Sequence, residues 1–301
     1  MASIKDLKTR IGSVKNTQQT TKAMKMVSAA KLRRAQDALI SNRPYAKQLG
    51  VLVDHMLATP RISLDSAVLA KEGATPIVGG RILLLIVTSD RGLCAGFNAT
   101  IIKTAMKWLA ENGRKYESVT FSFLGKRGYD FFRSRRGFIH GDYFEEYGGK
   151  VTFKKANDLA KKLVDSFVAG EYEEVKILYN VFQNAISQIP TLEEFLPLRP
   201  KAAEAAEASP DANVIVKPDT TQVLAALLSK HFAVQTFRVM LESQAGEQGA
   251  RMSAMENATK NAGEMIRKLT LQYNKQRQAN ITKELLEIIS GSESSKSQAA
   301  S

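Results

Sequence analysis

Apolar and small side chains recur in alternating steps of three and four residues near both ends of the chain. In the C-terminal part the repeat runs from Arg238 to Gln276, with Leu241 and Met255 among its inward positions. This spacing is the heptad period of a coiled coil. No proline occurs after Pro218, so nothing in this stretch removes a helical backbone hydrogen bond. We therefore predict one helix over residues 219–290.

The N-terminal part carries the same repeat. It begins at Ile4 and, after Pro44, resumes through Leu52 and Met56. A proline inside a helix kinks it but does not forbid its continuation, so we predict one helix over residues 1–57. Two helices with matching periods can bury their rows of apolar and small side chains against each other. We therefore expect them to form a long antiparallel coiled coil.

The inward positions of this repeat are mostly small or polar, which is unusual for a coiled coil. They include Gln18, Thr21, Gln248, Thr259 and Ala262, where a stable coil would place Leu, Ile or Val. Two interpretations stay open at this point. The coil is either a solvated rod that tolerates polar layers or a rod that works inside a protein sleeve, where its outer faces matter as much as its seam.

Between the terminal segments, the pattern changes to alternating strands and helices. The unbroken apolar run from Ile82 to Val87 is typical of a buried parallel strand. Further strands are predicted at 119–124, 138–143, 175–182 and 192–198, and helices at 97–112, 126–134 and 152–169. This alternation predicts a central Rossmann-like α/β domain with a mostly parallel sheet. The predicted division is an N-terminal helix at 1–57, a connector at 58–81, the α/β domain at 82–200, a linker at 201–218, the C-terminal helix at 219–290 and a disordered tail at 291–301.

Positive charge is concentrated in the N-terminal helix. The chain of 301 residues has a net charge of +13, and residues 1–57 contain eleven Lys and Arg against three Asp, a net charge of +8. Proteins that bind single-stranded nucleic acid combine such charge with aromatic side chains, but Tyr45 is the only aromatic residue of this segment. A membrane-surface helix would carry large apolar residues on its other face, where this one has Thr, Ala and Ser. An acidic protein partner is therefore favoured over nucleic acid and over direct membrane insertion.

One loop of the sequence could hold a ligand or a catalytic group. Residues 89–98, SDRGLCAGFN, follow the first predicted strand but match neither GxxxxGK[ST] nor GxGxxG. Cys94 lies in this loop, yet His55, His140 and His231 are all distant in sequence. We therefore interpret Cys94 as a buried, inert thiol rather than a nucleophile. One cysteine and three scattered histidines also give no metal-ligand spacing, so we predict no catalytic residue, no metal site and no cofactor.

Neither a secretory signal nor a membrane span is indicated by the sequence. The first residues lack an apolar centre, and the longest apolar run is far too short to cross a bilayer. A single cysteine is consistent with a reducing compartment. We expect a protein that stays on the cytosolic side.

Three segments together resemble one known family. They are IKDLKTRIGSVKNTQQTTKAMKMVSAAKLRRAQ near the N-terminus, SDRGLCAGFN after the first strand, and ESQAGEQGARMSAMENATKNAGEMIRKLTLQYNKQRQANITKELLEIISG near the C-terminus. From residue 3 to about residue 291 the chain resembles the γ subunit of F-type ATP synthase. The resemblance implies the central rotor shaft of that enzyme, a non-catalytic subunit that couples proton-driven rotation of the c-ring to conformational change in the catalytic β subunits. Its implied partners are the α3β3 ring, the ε subunit and the c-ring, and its implied location is the cytoplasmic face of the bacterial inner membrane, as a peripheral protein.

The resemblance also implies contacts for the end of the C-terminal helix. The positions that match those facing the catch loops of the β subunits are Arg277, Gln278, Thr282 and Glu284. In the same stretch the apolar positions Ile281, Leu285 and Ile288 restart one residue late relative to the heptad. We therefore expect this tip to leave the two-stranded coil and to continue as a single helix into an apolar bearing.

Five further positions match the family elsewhere. Met24 matches the coupling position, and Arg251 matches a basic position on the facing helix. Lys25, Arg33 and Arg34 fall in a basic block that the resemblance directs at the acidic lever segments of β. The alternative is that these side chains are solvated faces of the coil.

Two other classes of function stay open on the residues alone. A basic coiled-coil scaffold or a nucleic-acid-binding protein would bind polyanions with a steep salt dependence. A cysteine-dependent α/β enzyme would lose its activity on Cys94→Ser, whereas a rotor shaft would lose nothing measurable.

Overall fold

The computed structural model describes residues 3–57, 68–69, 79–135, 139–145, 149–199 and 220–299. The chain forms two compact units, one made of Met1–Val27 with Ala254–Ser301 and the other of Ser28–Ser253. The predicted connector at 58–81 and the predicted linker at 201–218 lie largely outside the described residues. The predicted division of the chain therefore stays a prediction.

The terminal segments are two long helices, as the heptad pattern predicted. The first, α1, spans Ile4–Leu57, and the last, α5, spans Thr220–Ala299. A reciprocal cap begins α1: the Asp6 N–H donates to Ser3 Oγ at 3.2 Å, and the Ser3 N–H donates to the Asp6 carboxylate at 3.1 Å. Pro44 lies inside α1 without ending it. Helix α5 continues past its predicted end at residue 290, since no proline interrupts it.

The inward positions of α1 follow an unbroken heptad. Those that are buried or half-buried are Ile4, Leu7, Ile11, Val14, Gln18, Thr21 and Lys25 in the first unit, and Ser28, Leu32, Ala35, Leu39, Asn42, Ala46, Leu49, Val53 and Met56 in the second. The prediction of Leu52 as an inward position is wrong, because Leu52 is 38% exposed whereas Val53 is 1% exposed. Alternating steps from Leu49 lead to Val53 and Met56, so the heptad itself is not broken by Pro44.

A five-stranded sheet forms the centre of the second unit. Its strands are β1 (Arg81–Val87), β2 (Ser118–Leu124), β3 (Ile139–Tyr143), β4 (Glu174–Phe182) and β5 (Gln188–Leu196). They lie in the order β3-β2-β1-β4-β5, with β5 antiparallel to β4 and every other pair parallel. The predicted Rossmann-like domain with a mostly parallel sheet is confirmed. Because β1 is the first strand and lies centrally, the chain order reverses between β1 and β4.

Helices cover both faces of this sheet. They are α2 (Phe97–Asn112), α3 (Lys126–Arg133) and α4 (Phe153–Val168), with a short 3-10 turn at Gly113–Lys115. On one face, Leu84 and Ile86 share a buried cluster with Ile101 of α2 and Phe132 of α3. The opposite face buries Leu83, Leu85 and Val87 with residues of α4 and α5, including Leu159, Leu163, Phe232 and Met240. A parallel strand buried on both faces accounts for the unbroken apolar run of β1.

Strand β5 begins earlier than the sequence predicted. The pattern favoured a start at Leu192, but the ladder with β4 extends to Gln188, opposite Phe182. Pro190 weakens the strand signal, because proline cannot donate to a ladder and is confined to edge strands and bulges. Since β5 is the last strand in the sheet order, it tolerates this proline.

A polar network anchors α5 within the second unit. Arg238 Nη2 donates to Glu193 Oε2 at 2.7 Å, and Arg238 Nη1 donates to the Tyr179 hydroxyl at 3.0 Å. One turn further along α5, Glu242 accepts from the Phe182 N–H at 3.1 Å. Burial raises the pKa of the Glu242 carboxyl, while the Phe182 N–H and Arg238 oppose that rise. The network therefore satisfies charged groups that α5 buries against β4 and β5.

Candidate partner-binding surfaces

Hydroxyl and amide groups join the two helices in the first unit. Thr259 Oγ1 lies 2.8 Å from Thr21 Oγ1, and Thr21 donates to the Gln18 carbonyl at 3.0 Å. Gln18 Nε2 reaches the Thr259 carbonyl at 3.5 Å, and a Cβ added at Gly263 would lie 3.0 Å from the same nitrogen. Small residues therefore make room for the polar seam, and the coil satisfies its own hydroxyl groups.

Met24 and Lys25 lie beside this seam, and both are half-buried. Lys25 Nζ binds Glu256 Oε1 at 2.7 Å, and the two side chains are 38% and 57% exposed. An exposed ion pair contributes about 0–1 kcal/mol. Because the pair is so weak, another carboxylate could exchange for Glu256 at little cost.

The tip of α5, which we define as residues 277–290, has no helix opposite it among the described residues of the first unit. Every side chain of the tip is exposed, including the four predicted contacts Arg277, Gln278, Thr282 and Glu284. The register explains why: α1 and α5 are antiparallel and Thr21 meets Thr259, so Ile4 lies about level with Gln276. Since α1 begins there, the tip is a single helix, as the shifted register predicted.

Large apolar side chains cover much of the tip. Ile281, Leu285 and Ile288 are 51%, 54% and 71% exposed, and Leu286 and Ile289 are 59% and 48% exposed. A contiguous apolar surface of this kind marks a site of interaction with another molecule. The tip also carries the charged residues Arg277, Lys283, Glu284 and Glu287, so it is amphipathic. Its apolar side chains are not buried against another helix of the first unit as described.

The remaining predicted contacts belong to the second unit. Arg33 and Arg34 are exposed on α1, as a contact with an acidic partner requires. Arg251 is different, because it is only 8% exposed. Its Nη1 donates to Glu247 Oε1 at 2.7 Å, its Nη2 to the Arg91 carbonyl at 3.1 Å and its Nε to the Gly92 carbonyl at 3.3 Å.

Arg251 therefore clamps the loop that follows β1. Burial raises the pKa of the Glu247 carboxyl, and the Arg251 guanidinium opposes that rise. The sequence missed this contact, although it placed residues 89–98 and Arg251 in the blocks that carry the family resemblance. The sequence does not show that the loop at 89–98 and Arg251 contact each other, because they are far apart in the chain.

The loop at 89–98 is also fixed from within. Asn98 Nδ2 donates to Ser89 Oγ at 2.8 Å, and Asn98 Oδ1 accepts from the Ser89 N–H at 3.0 Å. Cys94 is buried, with Asn98 Nδ2 3.2 Å from its sulfur. Leu93 adopts a left-handed backbone with φ of 63° and is 65% exposed. These hydrogen bonds tie the two ends of the loop together, and the thiol is enclosed within it.

Within the described part of the chain, no cluster of three or more His, Cys, Asp and Glu side chains is placed to hold a metal ion. The side chains of His55 and His140 lie outside what the structure describes. None of the described helices combines the length and the apolar character needed to span a bilayer.

Comparison with known proteins gives consistent results. A family model described as ATP synthase matches residues 3–294. The ATP synthase gamma chain of Geotalea uraniireducens is 48% identical over 296 residues, covering 98% of this chain and all of that protein. The ATP synthase gamma chain of Bdellovibrio bacteriovorus is 44% identical over 303 residues, with the same coverage.

Solved structures show a similar fold. The central stalk and c-ring structure of the Tetrahymena thermophila mitochondrial ATP synthase contains a chain that is 25% identical, with a TM-score of 0.58, covering 79% of this chain and 99% of that one. A chain of the Euglena gracilis mitochondrial ATP synthase rotor is 17% identical, with a TM-score of 0.58, covering 92% of this chain and 98% of that one. At that lower identity the second likeness concerns the fold alone.

Proposed function

Because this chain belongs to the ATP synthase gamma chain family, we propose that it works as the central shaft of a rotary ATP synthase. In this role it is a non-catalytic subunit, which transmits rotation driven by proton flow to the subunits that make ATP. The observation that carries the proposal is the single-helix tip, whose five large apolar side chains are about half exposed or more. A shaft needs such an end, free to turn inside a sleeve.

The proposed partners are the α3β3 ring, the ε subunit and the c-ring. In the ring, the catch loops of the β subunits would contact the polar side chains of the tip, which are Arg277, Gln278, Thr282 and Glu284. The exposure of all four side chains supports this assignment. Charged and amide groups suit a contact that must re-form at successive angles, because a deep apolar lock would favour one angular state over the others.

The acidic lever segments of β would face the basic positions. Lys25, Arg33 and Arg34 are accessible enough for this contact, and Met24 lies beside Lys25 at the coupling position. Arg251 would act indirectly in this scheme. Since its guanidinium is occupied by Glu247 and by the carbonyls of residues 91 and 92, it would hold the loop at 89–98 in position rather than contact β itself.

The proposed location is the cytoplasmic face of the bacterial inner membrane, where the chain would be a peripheral part of the whole enzyme. The bacterial source of the gamma chains it resembles supports this proposal. A basic scaffold or nucleic-acid binder is not favoured, because relatives named gamma chain match along nearly the whole chain.

Co-purification tests the proposed function. The tagged chain should recover α, β and ε subunits, and ATP hydrolysis by that complex should require this chain. A chain that is stable and monomeric in the presence of those subunits would contradict the proposal. Binding to a polyanion with a steep salt dependence, without assembly, would support the scaffold alternative instead.

Met24→Lys tests the coupling position, with Met26→Lys as the matched control at an exposed position nearby. The added cation lies beside Lys25, where acidic levers would bind, so we expect it to lower proton pumping per ATP hydrolysed while leaving assembly intact. Unchanged pumping in Met24→Lys, or an equal loss in Met26→Lys, would remove Met24 from the proposed contact.

A further inference from the structure

Positive charge that the proposed function does not use is concentrated on α3 and the residues just after it. Lys126, Arg127, Arg133 and Arg135 are all exposed there, and Asp130 is the one acidic residue between them. Four positive charges against one negative charge give residues 126–135 a net charge of +3. Among the described residues, none of the four cations forms an ion pair. A surface of this kind attracts an anionic partner.

Two of these cations are held in place by aromatic rings. Arg135 Cζ lies 3.9 Å from the centre of the Phe131 ring, and Arg133 Cζ lies 5.8 Å from the centre of the Tyr129 ring. Tyr129 in turn stacks on Tyr143 of β3, with ring centres 4.6 Å apart and an angle of 6° between the planes. A cation over a ring gains about 0.5–1 kcal/mol at an exposed site. The rings therefore orient both guanidinium groups before any partner binds.

Oriented guanidinium groups are suited to carboxylates. A guanidinium that stacks on a ring keeps its N–H donors along its edges, where they match the two oxygen atoms of a carboxylate. Because the rings already restrict Arg133 and Arg135, less side-chain freedom is lost on binding. Lys126 lies about 10 Å further along α3, at about 1.5 Å per residue. The positive surface is therefore long enough to meet several acidic residues.

The same surface is poorly suited to nucleic acid and to a membrane. Proteins bind single strands by stacking bases on open aromatic faces, but Tyr129 is engaged by Tyr143 and Arg133, and Arg135 covers Phe131. A helix that lies on a membrane inserts large apolar side chains, and no large apolar side chain of residues 97–135 is exposed. An acidic protein segment is the anionic partner that these observations favour.

We propose that α3 and Arg135 form a binding surface for an acidic segment of a partner protein, whose carboxylates are bound by the guanidinium groups of Arg133 and Arg135. Lys126 and Arg127 extend the surface for further acidic residues of the same segment. The surface uses none of the residues assigned above to the ring of α and β subunits, so it adds a contact to those of the shaft. It does not rest on the proposed function.

Fluorescence anisotropy of labelled decaglutamate tests this surface on the full chain. We expect decaglutamate to bind with a Kd below about 100 μM at low salt. Arg133→Gln with Arg135→Gln should weaken this binding at least about tenfold, as the loss of charge-assisted hydrogen bonds predicts. Arg133→Lys with Arg135→Lys keeps the charge but loses the planar fork of donors, so it should weaken binding about threefold or more.

Lys154→Gln with Lys161→Gln is the matched control. It removes the same charge from exposed positions of α4, which covers the opposite face of the sheet from α3. We expect it to change the affinity for decaglutamate less than about twofold, because charges away from the binding surface are screened. A loss equal to that of the arginine variant would overturn the proposal, since net charge alone would then drive binding.

Two competing probes test the other anionic partners. They are vesicles that contain phosphatidylglycerol, and decathymidylate. Both should bind more weakly than decaglutamate, because the surface lacks exposed apolar side chains and open aromatic faces. If either probe bound more tightly and lost its affinity in Arg133→Gln with Arg135→Gln, the surface would belong to lipid or to nucleic acid, and the proposal would be overturned.

A second measurement does not depend on the folding of any variant. In the unchanged chain, the Nε–H signals of Arg133 and Arg135 should shift on titration with decaglutamate and saturate with the Kd from anisotropy. Absence of binding, or signals that stay in place while the anisotropy rises, would contradict the proposed surface. No other subunit is present in these experiments, so their failure leaves the co-purification test of the proposed function unaffected.

Discussion

In the second unit, Leu32 and Leu39 of α1 share a buried apolar cluster with Leu241 of α5, whereas in the first unit Thr21 and Thr259 meet through their hydroxyl groups. Burying a leucine side chain contributes about 1.5–3 kcal/mol. A hydroxyl hydrogen bond contributes about 0.5–1.5 kcal/mol net. One heptad therefore joins the same two helices strongly in one unit and weakly in the other.

This difference shows that period and strength are separate properties of a coiled coil. The period decides which side chains face inward, and both units keep it. The chemistry of those side chains decides how much free energy is needed to separate the two helices. The two units differ in this chemistry. The largest effects of substitution should therefore arise in the second unit.

Leu39→Ala should weaken the apolar cluster that joins α1 and α5 in the second unit. Leu39 is 2% exposed, so its truncation leaves a cavity and should lower the free energy of unfolding by about 2–5 kcal/mol. Urea denaturation measures this loss. Ile40→Ala is the matched control, because Ile40 is 62% exposed and should change stability by less than about 0.5 kcal/mol. Similar losses in both variants would contradict the assignment of the core.

Glu242→Gln should change how the second unit responds to pH. Burial raises the pKa of Glu242 in the folded chain, so between its ordinary value and the raised value the folded state binds more protons than the unfolded state. Stability contributed by this group therefore falls as the pH rises through that window, with a slope below about 1.4 kcal/mol per pH unit.

Urea denaturation at a series of pH values tests this expectation. Glu242→Gln should flatten the profile just above the ordinary carboxyl pKa, whereas Glu264→Gln at an exposed position should leave it unchanged. An unaltered profile in Glu242→Gln would mean that the folded chain does not hold this proton.

Replacing the hydroxyl groups of both Thr21 and Thr259 tests the polar contact between the helices in the first unit. In the double variant Thr21→Val with Thr259→Val, one buried and one half-buried hydroxyl give way to methyl groups of similar shape. Such a change should alter stability by less than about 1 kcal/mol in either direction. Amide hydrogen exchange over residues 14–27 measures it locally. A loss as large as that of Leu39→Ala would show that the polar seam is as strong as the apolar one.

Lys25→Gln should have the smallest effect. The pair with Glu256 is exposed, so its removal should cost about 0–1 kcal/mol, and salt should reduce that cost further. Thermal unfolding at low and at physiological salt measures the difference. A loss of several kcal/mol that persists at high salt would mean that this pair is a structural anchor.

The sequence predicted the period well because the helical repeat is a local property. Every inward position from Arg238 to Gln276 is buried or half-buried, and the apolar run of β1 correctly predicted a buried parallel strand. The error at Leu52 arose near Pro44, where either of two neighbouring apolar residues satisfies the pattern. Only the partner helix distinguishes Leu52 from Val53.

The roles of buried polar groups could not be predicted in this way. The family resemblance implied a partner contact for Arg251, yet its guanidinium meets carbonyl groups about 160 positions away in the chain. Asn180 lies in β4, whose apolar neighbours predict only burial, yet its Nδ2 donates to the Phe97 carbonyl at 3.2 Å. Whether a buried amide finds its partners depends on loops and helices from distant segments, which no local pattern contains.

The cap formed by Ser3 and Asp6 sets how much of the C-terminal helix is left unpaired. In an antiparallel pair, each turn added to one helix covers one turn of its partner, so the first residue of α1 decides where the free part of α5 begins. One heptad inserted after Ser3 would cover α5 to about residue 283 and halve its single-helix tip. A change near the start of the chain would thereby shorten a surface that is encoded about 280 residues later.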